Sequence, residues 1–209
     1  NKIKIYGEEV LRQPCKKVTK FTSKVRKLID DLLKEMYAAN GVGLAAPQIG
    51  VPLRVFVIDT SIGDEPLNPI VFVNPVIIKK EGAVPSYEGC LSFPDVYTTV
   101  RRYEKVTVKA FDHKNRPFTL TAKEGTLLCR AIQHEYDHLE GILFIDHSVN
   151  RFDTNQALQE KGLPPVQEDY LLEEPELDEM IEKKLIEQKQ QAEEMPDDEQ
   201  EDSLTETAI

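Results

Sequence analysis

The stretch QHEYDHLEG, residues 133–141, holds two histidines four positions apart, His134 and His138, with Glu135 between them. On a helix such a pair shares a face, since about 100° per residue leaves the two imidazoles about 40° apart. Leu127 and Ala131 share their stripe, and Leu128, Ile132 and Leu139 make an apolar stripe beside it. Any fold for this chain must therefore bury a helix that carries two imidazoles and a carboxylate inward. H-E-x-x-H in this setting is a metal-hydrolase signature, with the glutamate within reach of water near the metal. A catalytic site of this type takes three protein ligands and leaves one position open. The motif supplies two.

The third donor is not adjacent. One large class continues the motif to a further histidine three residues after a glycine, and here Gly141 is present but Phe144 stands at the histidine position. Glu160 offers a downstream carboxylate near the end of the patterned region. His113 and His147 read as ordinary surface or edge histidines. Cys90, preceded by a glycine in EGCLSFP, is the soft donor in the most unusual setting, whereas Cys15 and Cys129 read as inert buried thiols. Spacing alone leaves these alternatives open.

The rest of the chain fits one globular domain with residues to spare. No run of 18 apolar residues occurs, so no membrane span is expected. NKIKIYGEEVLRQ at the start lacks the apolar centre of a secretory signal, and its lack of Met leads us to expect a processed or trimmed start. Three cysteines, an odd and sparse number, fit a reducing compartment. The net charge of −11 is uneven: residues 160–209 carry 18 acidic and 4 basic residues, leaving the first 159 close to balance. The acidity belongs to the tail, which argues against nucleic-acid binding by that segment.

Apolar spacing predicts a helix over 23–40, strands over 53–59 and 70–79, and a hairpin with arms 106–112 and 117–121. Thr121 to Glu124 fits a capping box that would open the motif helix. A break is expected at Gly162–Pro165, and weak helical spacing over 176–191. Residues 196–209 read as an acidic, disordered tail.

Three segments taken together, GVGLAAPQIG (41–50), EGCLSFP (88–94) and QHEYDHLEG (133–141), resemble the peptide deformylases in order and spacing, over roughly residues 3–150. The resemblance implies an α+β fold. Its central metal-binding helix is surrounded by small, mostly antiparallel sheets, with an N-terminal helix packed outside. Residues 1–150 would be the catalytic domain, 151–195 an extension, and 196–209 the tail. It implies hydrolytic removal of the formyl group from the formyl-methionine that starts new polypeptides. Cys90 then becomes the third ligand beside His134 and His138. The metal would be iron(II) in the cell, in a site that also suits zinc, nickel or cobalt. Glu135 would carry the proton, and the Gln48 amide with the Leu91 backbone N–H would face the oxyanion. Val42, Leu91, Leu127, Ala131 and His134 would line the methionine pocket, with Arg130 at its mouth. Gly43 would let an extended substrate approach. Tyr97 would touch the following residues. Glu88 would either meet the substrate or be structural, paired with Arg101 or Arg102. Implied partners are the formyl-methionyl peptide and, transiently, the ribosome. The implied location is a bacterial cytoplasm, or else an organelle. The competing readings are an H-E-x-x-H endopeptidase and a non-catalytic relative that binds peptides or ribosomes.

Overall fold

The structure is a computed structural model that describes residues 2–61 and 65–194; the disorder expected over 196–209 lies outside the described residues. It is α+β. Helix α1 spans Ser23–Ala38, and strands β1 (Gly43–Ala45), β2 (Val55–Ile58) and β3 (Ile70–Glu81) follow. Next come β4 (Val84–Cys90), β5 (Phe93–Arg102), β6 (Lys105–Phe111) and β7 (Pro117–Ala122). Helices α2 (Leu127–Glu140), α3 (Arg151–Glu160) and α4 (Pro175–Glu194) complete the order. β1-β2-β3-β6-β7 form one sheet and β4-β5 a separate ribbon, and every strand pairing is antiparallel.

Two-sided burial of one short strand sets the layering. In β2 the sequence VFVI is apolar at every position and wholly buried. Phe56 and Ile58 turn toward α2 with Phe72, Ala131, Ile132 and Leu139. Val55 and Val57 turn the other way, onto Val25, Leu28, Ile29, Leu32 and Met36 of α1. Alternation along the strand thus places α1 outside and α2 inside. Phe56 and Phe72 are register partners, and their rings stack at 4.6 Å.

The inner helix starts later than expected. Thr121 belongs to β7, opposite Thr107, so no capping box forms at Thr121. The chain turns at Gly125, and Thr126 caps α2 by accepting a hydrogen bond from the Cys129 backbone N–H. α2 stops at Gly141, whose φ is 72°. A Cβ there would lie 2.5 Å from the Arg12 carbonyl oxygen. Only glycine satisfies both the left-handed turn and that approach.

The sequence reading missed β4, most of β5, and α3. α3 buries Thr154 and Leu158 while Phe152 stays exposed, so its amphipathic signal is faint. Beyond the expected break, α4 packs Leu177 and Ile181 beside Ala83. No helix among the described residues is long and apolar enough to cross a membrane.

Candidate metal centre

β4 and α2 meet in matched steps. Two residues of strand advance about 6.7 Å and four residues of helix about 6 Å, so every second residue of β4 meets every fourth of α2. The rungs are Ser86 with Arg130, Glu88 with His134, and Cys90 with His138. Arg130 donates to Ser86 Oγ at 3.4 Å, Glu88 Oε2 lies 3.0 Å from His134 Nδ1, and Cys90 Sγ lies 3.4 Å from His138 Nε2. The donor atoms of Cys90, His134 and His138 all fall within 4.8 Å of one another, and the three residues are buried.

These residues fit a divalent cation. Glu88 is fully buried, and its carboxylate accepts from Arg102 Nε and Nη2 at 2.9 and 2.8 Å. Burial works against its charge, but Arg102 and His134 hold its pKa well below the ordinary range. An ionised Glu88 makes His134 Nδ1 the donor, which leaves His134 Nε2 a bare lone pair aimed into the cluster. That Nε2 has no hydrogen-bond partner. A buried, unpaired acceptor is costly, and a cation would satisfy it. Burial pushes the Cys90 thiol up and the His138 imidazole well down. Without a metal Cys90 and His138 are therefore neutral donors, and metal uptake must release the thiol proton.

Two further side chains complete the centre. Both Glu135 oxygens are buried without a partner, and burial first, then the charges of Glu88 and Asp137, raise its pKa well above the usual carboxylate value. The Gln48 carbonyl accepts from the Ala45 N–H at 2.8 Å, which turns its NH₂ to Ser92 Oγ (3.1 Å) and Cys90 Sγ (3.5 Å). That orientation presents an N–H donor beside the thiol.

Gly43 faces Glu135. A Cβ at this position would sit 2.6 Å from Glu135 Oε1 and 3.0 Å from its Cδ. Gly43→Ala must therefore displace the carboxylate, and a misplacement of about 1 Å costs on the order of 10²-fold in rate. Turnover is expected to fall by about that factor with the melting temperature little changed; a variant as active as the parent would remove the constraint.

The remaining expected residues fall as follows. Leu91 packs against Gly41, and Val42 is half-buried against the α2 core. Ala131 is buried, and Leu127 is half-buried at the start of α2. Tyr97 pairs with Gly89 in register and stacks on Tyr87 at 5.9 Å. It stands on the face of β4–β5 turned away from Glu88 and Cys90. Glu88, for which the sequence leaves two roles open, is buried behind His134 and paired with Arg102, the arrangement of the structural alternative. His147 is a correction. It is buried, with Nε2 2.9 Å from Asp137 and Nδ1 3.0 Å from Glu174. His113 and Glu160 are exposed, at the β6–β7 turn and the end of α3. Phe144 packs its ring against His134 and Phe93.

The family model for polypeptide deformylase matches residues 1–154. The chain belongs to the peptide deformylase family. A peptide deformylase from Acidobacterium capsulatum is 49% identical over 140 residues, covering 67% of this chain and 81% of the relative. Peptide deformylase 1 of Clostridium perfringens is 44% identical over 147 residues, covering 70% and 97%. Among solved structures, a deformylase from Synechococcus elongatus in complex with actinonin superposes with a TM-score of 0.74 at 44% identity. That match covers 78% of this chain and 91% of the other. The deformylase family model ends 20 residues before Glu174, so α4 and the segment leading to it lie outside it.

Proposed function

We propose a division of labour among these side chains for the family's reaction, in which water cleaves the formyl group from an N-terminal formyl-methionine and releases formate. The observation that carries it is the pairing of an unpartnered buried carboxylate, Glu135, with the Cys90, His134 and His138 donor cluster. A divalent cation held by those three residues would supply Lewis acidity and make water acidic near neutral pH. Glu135 takes a proton from the attacking water and delivers it to the departing amine nitrogen. The Gln48 amide and the Leu91 backbone N–H donate to the oxyanion that develops on the formyl oxygen. The donor set of one thiolate and two imidazoles suits iron(II), our assignment for the cell, and also zinc, nickel and cobalt.

In this reading the methionine side chain enters between Val42, Leu91, Leu127, Ala131 and His134, with Arg130 at the outer end. Substrate backbone runs along the Gly43 loop as an added strand. Tyr97 meets the residues that follow. Residues 1–150 act as the catalytic body, 151–195 as the extension, and 196–209 as an acidic tail. The reaction places the chain where formyl-methionine starts translation, in a bacterial cytoplasm or an organelle, with transient contact to the ribosome. RNA is a polyanion, so that contact does not run through the acidic tail.

Formate release from formyl-Met-Ala-Ser, using protein reconstituted with iron(II) without oxygen, tests the assignment. Rapid release that a chelator abolishes is the expected result. Full metal loading without release would sink it. Losing one oxyanion donor costs about 2.7–4 kcal/mol of barrier, so Gln48→Leu should lower turnover roughly 10²–10³-fold. A loss under threefold would take Gln48 out of that role.

A further inference from the structure

An unbroken line of ion pairs, ending in a hydrogen bond, joins the C-terminal extension to a metal ligand. Glu174 Oε2 meets His147 Nδ1 at 3.0 Å, and His147 Nε2 meets Asp137 Oδ2 at 2.9 Å. Arg102 Nη1 donates to that same Asp137 oxygen at 2.6 Å, and its other two donors hold Glu88. Glu88 in turn accepts from His134 Nδ1. Charges alternate from Glu174 to Glu88, and each interior member has a partner on both sides. Both nitrogens of His147 face carboxylates, so both carry protons in this arrangement. The line crosses from a segment outside the deformylase family model into the centre of the fold.

We propose that Glu174 and His147 are positioning residues for the metal centre: through Asp137, Arg102 and Glu88 they hold the His134 ring in the orientation that presents Nε2 to the metal. The argument is geometric. Asp137 Oδ2 is shared by His147 and Arg102, so the place of that oxygen depends on both cations. Arg102 spans a buried carboxylate, Glu88, and a half-buried one, Asp137, and a shift of Asp137 shifts the guanidinium that fixes Glu88. Glu88 has one oxygen, Oε2, for both Arg102 Nη2 and His134 Nδ1, so the ring follows the carboxylate. Partners beyond the ligands commonly change metal affinity by about 10–100-fold. Glu174 acts through four intermediates, so the low end of that range applies.

The extension also has an anchor that touches this line only at a backbone carbonyl. Asp178 of α4 pairs with Arg101, which donates to the His147 and Ser148 carbonyls. Asp178→Asn therefore loosens the extension without removing a member of the line. It is the control for a role that is merely structural.

The inference rests on the metal-site reading and is tested with cobalt(II) on the full chain. Affinity is read by competition with a chromophoric chelator, coordination by the visible spectrum of the cobalt protein, and folding by the melting temperature without metal. Glu174→Gln should bind cobalt about 10-fold more weakly and alter the spectrum, while Asp178→Asn stays within twofold of the parent with an unaltered spectrum. Unchanged affinity in Glu174→Gln, or equal loss in both variants, would overturn the proposal. A parent protein that takes up no cobalt would overturn the metal-site reading along with it.

Discussion

Glu135→Gln is expected to lower turnover about 10³–10⁴-fold, the upper part of the range for a lost general acid–base, with KM within threefold. Glutamine keeps the shape of the side chain against Gly43 but cannot take a proton from water or return one to the amine. Metal binding should persist, because the ligands are Cys90, His134 and His138. The same change has a second signature. The Glu135 pKa in the folded, metal-free protein lies well above its ordinary value, chiefly through burial. For an acid with a raised folded pKa, the folded state holds more protons than the unfolded one between the two values, so stability falls as pH rises through that interval. Glu135→Gln removes this slope. The metal-free variant should therefore melt higher than the parent at pH 7 and match it near pH 4. Formate release and paired melting curves check both signatures. A variant that kept a tenth of parent turnover would end the case for Glu135 as the proton carrier.

The parts of the fold legible in the sequence are those whose buried faces are apolar. VFVI, the α1 stripe and the α2 stripe all announce themselves, because burial there is ordinary hydrophobic packing. β4 does not. Its inward residues are Ser86, Glu88 and Cys90 and its outward one is Tyr87, so the alternation runs opposite to that of a normal half-buried strand. The inversion exists because the inner face of β4 is the metal centre. Local pattern fails where function has replaced packing. His134, Glu135 and His138 are legible in the H-E-x-x-H motif, Cys90 and Gln48 only through the family resemblance, and the structure brings all five together. For Glu88 the sequence leaves two roles open, since its partner Arg102 lies across the ribbon and adjacent Arg101 is an equal candidate. His147 was missed for a related reason. Its partners are 10 residues before and 27 residues after it, and no periodicity links them.

Arg102→Leu is expected to have the largest effect on stability. Arg102 is 2% exposed and is bonded to two carboxylates, Glu88 and Asp137. Removing one partner of a buried ion pair typically costs 3–5 kcal/mol, because the other charge is stranded. At about 2–4 °C per kcal/mol for a chain of this size, the melting temperature should drop by roughly 6–20 °C. The contribution of Glu88 to the pH dependence should also reverse in sign. In the parent, burial opposes ionisation, but Arg102 and His134 depress the Glu88 pKa, and His147 and Arg102 take Asp137 down to about 2. Their contribution is present above the unfolded carboxylate pKa, near 4, and is lost as pH falls through the folded values. Without Arg102, burial dominates at Glu88, and its folded pKa moves above the unfolded one. The variant should then lose stability more steeply than the parent as pH rises from 5 to 8, because the slope from Glu88 adds to the one from Glu135. Adding Glu88→Gln removes the stranded charge, so the double variant should recover part of the loss at pH 8 and little at pH 5. It should not recover metal affinity, because glutamine no longer holds His134 Nδ1 with a carboxylate. Melting curves at the two pH values, with and without cobalt, separate these effects; a single variant as stable as the parent at pH 8 would mean the two acids find other partners.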